Sequence, residues 1–246
     1  MPKVQLDEIQ RRLIREIADL HKIPEGAYNF RANSKLAGRN TTANIDITSK
    51  EDKSGIDIRV KPGTKNESVH IPVVISDTGI NETVYNDFYI GEDADVLIVA
   101  GCGIDNCGSM NSEHDGVHRF FLAKGAKVKY VEKHYGSGDG TGKRILNPVT
   151  ECYLEEGAVM EMEMEQIKGV DSTERSTIAK LKKNARLVVK ERLMTHGEQT
   201  AISTYRIDLD EEGANGDVVS RSVARDNSYQ KFDAQIIGRS EERRVG

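Results

Sequence analysis

The sequence predicts a mainly β protein, a parallel β-helix (solenoid) preceded by one N-terminal amphipathic helix. Three observations carry this. Leu6, Ile9, Leu13, Ile17 and Leu20 recur at helical spacing, and helical periodicity does not return after residue 40. From about Thr41 the apolar residues alternate with a period of two. A short corner motif then recurs ahead of five alternating strands: a charged residue, then Gly, Asp or Asn, then Ala.

The helix spans roughly Leu6 to His21 and stops before Pro24 and Gly26. Its apolar stripe suits packing on its own domain, with docking to a partner as the alternative use. Alternating strands follow at Asn44–Ile47, Ile56–Val60, Val69–Ser76 and Val84–Ile90, and Lys61-Pro62-Gly63 marks a turn. The corner motifs are Glu92-Asp93-Ala94, Lys124-Gly125-Ala126, Glu156-Gly157-Ala158, Lys183-Asn184-Ala185 and Glu212-Gly213-Ala214. Their alanines are spaced by 32, 32, 27 and 29 residues. A repeat of strand, turn and strand without a helix is the mark of a β-solenoid, whose stacked coils bury a shared interior. A β-sandwich also has short strands, but it does not predict one corner at near-constant spacing. The Gly or Asn before Ala suits a corner that needs positive φ. Met160, Met162 and Met164 share one strand face and Glu161, Glu163 and Glu165 the other. The methionines are therefore expected inside, and the glutamates outside, paired with Lys or Arg of neighbouring coils. The chain divides into a helix and linker (1–40), a β-helix core (41–238) and a tail (239–246).

Composition narrows the function. With a formal net charge of -5 there is no basic stripe to neutralise phosphates, which argues against nucleic-acid binding. Apolar runs are only a few residues long, against about 20 for a membrane span. The N-terminus lacks the apolar core of a secretory signal. The three cysteines form no disulfide framework and point to a reducing, cytoplasmic compartment.

Candidate chemistry gathers between Val96 and Gly136. Cys102 and Cys107 form a C-x4-C pair, and thiolates suit iron, zinc or sulfur transfer. Gly101 and Gly103 are expected to leave Cys102 accessible. His114 and His118 share a face in an extended segment and can ligate together, although hydrogen-bonded turn positions are the better account of them. Gly116 and the absence of Glu at the second motif position exclude a zincin helix. His134 and His196 read as corner residues, and Cys152 as a half-buried strand thiol. The metal candidates are thus Cys102, Cys107, His114 and His118. Gly136–Lys143 fails as a phosphate loop, because Ser137 and Arg144 stand where Gly and Ser or Thr are required and no helix follows. It is expected to be a flexible exposed loop. Neither a nucleophile elbow nor a distinct carboxylate pair calls for an enzyme.

Seven segments, in order along nearly the whole chain, resemble the SufB/SufD family of iron–sulfur cluster assembly proteins, in particular its short stand-alone members. They are Ile23–Tyr28, Tyr85–Gly91, Val99–Gly103, His114–His118, Tyr130–Gly136, Leu193–Gly197 and Ser220–Ala224. The resemblance implies a right-handed parallel β-helix. It also implies a cytosolic scaffold subunit that carries a transient iron–sulfur cluster, works beside the ABC-type ATPase SufC, and pairs with itself or a SufB/SufD paralogue. Such proteins are not ATPases and bind no nucleotide, nucleic acid or membrane. One departure stands out. In the family the β-helix runs past the position of Gly238 into a Cys- or His-containing coil implicated in cluster assembly, then into an ATPase-docking helical tail. Here Arg239–Gly246 breaks the β pattern and matches the translation of a common sequencing adapter, so a non-native tail on a truncated gene model is expected. The alternatives are a partner subunit without ligands of its own, or a carbohydrate-active β-helix protein. The latter would need a secretory signal and exposed carboxylates or aromatics along a groove.

Overall fold

The computed structural model describes residues 4–238, so the expected tail at 239–246 lies outside the described residues. The helix, α1 (Glu8–Ala18), is set by its caps. The Asp7 carboxylate accepts from the Gln10 backbone N–H at 2.8 Å, and the Gln10 side chain accepts from the Asp7 N–H at 3.2 Å. Asp19, in the left-handed region at φ 51°, ends it. These caps make the helix shorter than its apolar stripe.

Two hairpins come next: β1 (Ala27–Ala32) with β2 (Lys35–Asn40), and β3 (Ile45–Ser49) with β4 (Gly55–Val60). Six strand pairs follow: β5 (Lys65–Ile75) and β6 (Asn81–Ile90), then β7 (Asp95–Asp105) and β8 (Ser112–Leu122). The third pair is β9 (Lys127–Ser137) with β10 (Arg144–Leu146) and β11 (Val149–Leu154), which share one position. The last three are β12 (Val159–Lys168) and β13 (Ser172–Leu181), β14 (Arg186–Thr195) and β15 (Thr200–Leu209), and β16 (Asn215–Ala224) and β17 (Tyr229–Gly238). Successive pairs stack in parallel into two facing sheets. One sheet runs β2-β1-β5-β7-β9-β12-β14-β16, and the other runs from β3 and β4 through β6 and β8 to β17. This is the expected β-solenoid with an N-terminal helix. Strand structure starts at Ala27, inside the stretch expected to be linker. Ala27, Tyr28, Asn29 and Phe30 are buried at four successive positions, so β1 carries no alternation to read. The last coil leaves Val219, Val223, Phe232 and Ile236 exposed.

The corners explain the repeat. Asp93, Gly125, Gly157, Asn184 and Gly213 all have positive φ, between 53° and 73°. In each corner the alanine N–H closes a tight turn, as in Ala126 to Ala123 O (3.1 Å) and Ala158 to Glu155 O (3.0 Å). The left-handed residue donates its N–H to the next corner along: Asp93 to Lys124 O, Gly125 to Glu156 O, Gly157 to Lys183 O and Asn184 to Glu212 O, at 2.9–3.0 Å. Ala94, Ala126, Ala158 and Ala185 are fully buried beneath, and Thr64 takes the equivalent buried place in the first corner. Gly63 adopts the same conformation ahead of β5 and donates its N–H to Glu92 O at 2.8 Å, so it begins the series.

Helix α1 lies across the outer face of β5, β7 and β9, burying Leu13, Ile14 and Ile17 against Tyr28, Phe30, Val74 and Val99. Gly101 and Gly103 are the seat. A Cβ on Gly101 would stand 2.9 Å from Ile17 O and 2.8 Å from Lys133 O, and one on Gly103 would press on Leu13. These glycines admit the helix and do not expose Cys102. Arg12 to Asp105 and Lys133 to Asp19, both 2.6 Å, tie the ends down.

Residues 138–143 are likewise ordered rather than flexible. Gly140 donates to Asn106 O and Gly142 to Gly108 O at 3.0–3.1 Å, so this loop rides on the loop of the coil before it.

Valine at the Gly157 corner is expected to destabilise by about 1–2 kcal/mol, the usual penalty for a β-branched residue at positive φ. Gly157→Asn should be close to neutral, because Asn184 fills the equivalent corner and nothing lies within 4 Å of a Cβ at 157. Urea denaturation of the two variants checks both.

Candidate functional site

Alternation decides what each strand sends inward. Next to the corners the interior is apolar, with Phe88, Phe120, Tyr130, Met160 and Met162 fully buried. The glutamates beside the methionines face out as expected, with Glu163 on Lys129 (3.2 Å) and Glu165 on Arg192 (3.5 Å). Further along each strand the inward residues turn polar: Asn86, His114, His118, Glu132, His134, Gln166, Arg175 and Glu191 are all buried. Beyond them a second apolar cluster of Val73, Ile75, Cys102, Ile104, Leu146 and Val170 closes the band.

From His118 through Tyr130, Glu132 and Arg175 to Glu191 the band is one connected network. His118 Nδ1 stands 2.7 Å from Tyr130 Oη, and Tyr130 donates to Glu132 Oε1 at 2.9 Å. The tyrosine hydroxyl therefore accepts from His118 Nδ1–H, leaving Nε2 to accept from Asn86 Nδ2 at 3.2 Å. Arg175 donates to Glu132 Oε2 at 2.6 Å, and its Nε lies 3.7 Å from Glu191. Glu191 also accepts from Ser203, Tyr205 and Ser220 at 2.6–2.9 Å. His134 Nδ1 faces Gln166 Oε1 at 3.3 Å, and His114 Nδ1 faces Glu82 at 3.1 Å, with Arg31 on the other Glu82 oxygen at 3.0 Å. The hydroxyls of Thr150 and Thr177 are buried without a partner.

Burial fixes the charge states. It holds the His118 and His134 imidazoles neutral, down at about 4, against the pull of Glu132. Burial also opposes ionisation of Glu132, but Arg175 overcomes it and keeps the carboxylate charged. Glu82 is similarly disfavoured by burial, then pulled down to about 2 by His114 and Arg31. Burial, with Glu82 and Glu132 adding to it, drives the Cys102 thiol well above its ordinary value.

The structure brings three of the four expected ligands together. Cys102, His114 and His118 line one small interior cavity, about 20 Å³, with Glu132, His134 and Gly116. Cys102 is a strand residue, only 3% exposed, and both histidines lie within β8 rather than at turns. His134 is likewise inside β9, whereas His196 does sit in a turn. Cys107 is apart from them, exposed on the loop after β7, with its Sγ 3.3 Å from Asp105 Oδ1. Cys152 is fully buried and packs in the apolar core. Among the described residues, no three His, Cys, Asp or Glu side chains stand ready to hold a metal ion together. The charged centre of the band, Glu132, Arg175 and Glu191, was not anticipated. The signal for it was present: in Val128-Tyr130-Glu132-His134 the alternation places a carboxylate on the inward face.

A two-sheet β-solenoid with a buried band of thiol, imidazole and carboxylate groups is a class of scaffold, and comparison with known proteins narrows it. Residues 90–242 match the family model described as SUF system FeS cluster assembly, SufBD core domain. The chain belongs to the SufBD family, which ties it to iron–sulfur cluster assembly. It is similar to an iron-sulfur cluster assembly SufBD family protein of Methanothermobacter thermautotrophicus, with 24% identity over 187 residues. That alignment covers 75% of this chain and 44% of the relative, so the chain spans less than half of the relative's length.

Because the unfolded chain protonates histidine near 6.5 and the folded one His118 and His134 only at about 4, stability present at pH 7 falls as pH drops through that window. Each histidine should contribute a slope of about 1.4 kcal/mol per pH unit. His134→Gln, which keeps a donor for Gln166, should make the profile shallower by one proton in urea titrations between pH 7 and 4. Truncating Arg175 to Met leaves Glu132 buried without its cation and should cost about 3–5 kcal/mol.

Proposed function

We propose that the chain is a scaffold subunit on which an iron–sulfur cluster is assembled in the cytoplasm, beside a SufC-like ABC-type ATPase. The observation that carries this is the shared cavity: the Cys102 thiol, the imidazoles of His114, His118 and His134 and the Glu132 carboxylate line one buried space. Thiolate and imidazole are the ligand types that suit iron and sulfur. The cavity is closed and its residues are not arranged as a ready-made metal site. Loading therefore needs the coils around β7 and β8 to part, and an ATP-hydrolysing partner is a source of that work. The scaffold binds no nucleotide and catalyses nothing alone. It pairs with a second copy or a SufB/SufD paralogue.

The alternative is a structural partner subunit that ligates nothing, favoured by the mutual satisfaction of the band's charges. A carbohydrate-binding role finds little support in the aromatic ladder of Tyr89, Phe121 and Tyr153, whose rings stack on one another at 5.1–5.2 Å with Arg59 over Tyr89 at 4.3 Å, so that both faces of Tyr89 and Phe121 are covered.

Co-expression with the neighbouring ATPase should yield a stable complex carrying iron and acid-labile sulfide. Cys102→Ala is expected to remove most of both, whereas Cys107→Ala, outside the cavity, should keep more than half. Unchanged iron and sulfide in Cys102→Ala would decide for the structural subunit.

A further inference from the structure

A recess of about 670 Å³ on the outer surface has no part in the buried band. It spans three successive coils, from the end of β9 past β12 to the turn after β14, and its lining includes Tyr135, Lys143, Arg144, Lys168 and His196. Its floor is bare backbone. Gly136 and Gly169 are pressed together so closely that a Cβ on either would overlap the other's carbonyl oxygen.

The charges on its walls are unequal. Arg144 is fully engaged: it donates to Asp171 at 2.7 and 3.1 Å and to the carbonyls of Ser137 and Gly138 at 3.2 and 2.9 Å. Arg144 and Asp171 thus neutralise each other. Lys143 and Lys168 have no carboxylate partner among the described residues. Lys168 is aimed by a β-bulge. The register of β12 on β9 slips between Gln166 and Lys168, which brings Lys168 opposite Tyr135 with its Nζ 5.7 Å from the ring centroid. The His196 imidazole, on the facing turn, also has no hydrogen-bond partner. Against these groups stands the single carboxylate of Glu198. The cleft is locally cationic in a chain whose formal net charge is -5.

We propose that this cleft binds a small phosphate-bearing molecule, with Lys143 and Lys168 holding the phosphate over the Gly136–Gly169 floor. Three observations select that class. Two free ammonium groups and an imidazole match the charge and acceptors of a phosphate group. The volume falls within the range of small-ligand sites, about 300–1,000 Å³. The negative net charge disfavours a nucleic-acid polymer, which needs an extended basic track. The glycine-rich segment that fails as a phosphate loop supplies one wall, with cationic side chains in place of a helix N-terminus.

Calorimetric titration of inorganic pyrophosphate into the full chain at low ionic strength tests this, apart from any cluster chemistry. Binding should weaken at least tenfold in Lys143→Ala and in Lys168→Ala, and Lys168→Arg should retain it. Lys124→Ala and Lys182→Ala, whose ammonium groups pair with Glu156 and Glu155 on the surface elsewhere, should bind as the parent does. Both cleft lysines are exposed, so circular dichroism should show all variants folded. Absence of pyrophosphate binding to the parent, or equal loss in Lys182→Ala and Lys168→Ala, would overturn the proposal.

Discussion

Everything in this molecule depends on how the coils turn their corners. The chain can close a coil only through a residue in the left-handed region, and the N–H of that residue then bonds to the next corner. The small residue after it, Ala in five corners and Thr64 in the first, fills the gap beneath and closes the turn. Together these requirements fix the phase of every strand that follows. Since side chains alternate, a slip of one residue would exchange interior and surface along the whole strand. The corner therefore determines that Met160, Met162 and Met164 lie inside with Glu132 and His134, while their neighbours meet water.

Given that phase, the polar band is a choice the fold did not require. In its sheet, Glu132 is stacked between Ala100 and Met164, and Met164 in turn sits below Glu191. Apolar residues fill this level of the interior in some coils, so they would fit in the others. Removing two charges from water costs several kcal/mol each, and a buried pair is seldom more stable than well-packed hydrophobic residues of similar volume. The Glu132–Arg175–Glu191 chain is thus poorly explained as a stabilising device. It does hold a charged carboxylate, two neutral imidazoles and a thiol at fixed positions inside a narrow solenoid, and packing has no need of that arrangement.

The fold was legible because its determinants are local. Corner chemistry, the period of two and the methionine face can each be read within a few residues, and each reappears in the structure. β1 was missed because it is buried on both faces, which erases the alternation. The candidate site was half legible. Cys102, His114 and His118 share a cavity as their types suggested, but spacing alone drew Cys107 into the set, and Cys107 lies on an exposed loop outside it. The glycines around Cys102 were misread because their reason is a helix about 85–90 residues earlier in the chain, Leu13 and Ile17 packing onto Gly103 and Gly101. Arg175 escaped notice for the same reason: its partner Glu132 is 43 positions away in sequence and joined to it only across the interior.

The closed interior has a chemical consequence for Cys102. A buried thiol facing two carboxylates stays protonated, and neighbouring imidazoles held at about 4 are weak acceptors for its proton. In this conformation the group best suited to iron or sulfur is inert. Admitting water would reverse each of those conditions at once. Hydration would lower the thiol toward its ordinary value, restore the imidazoles toward 6.5 and loosen the hold of Arg175 on Glu132. Reactivity at Cys102 is thereby linked to opening of the coils, and α1, clamped across the back of β7 by Arg12 and Lys133, braces the sheet that carries Cys102 against it.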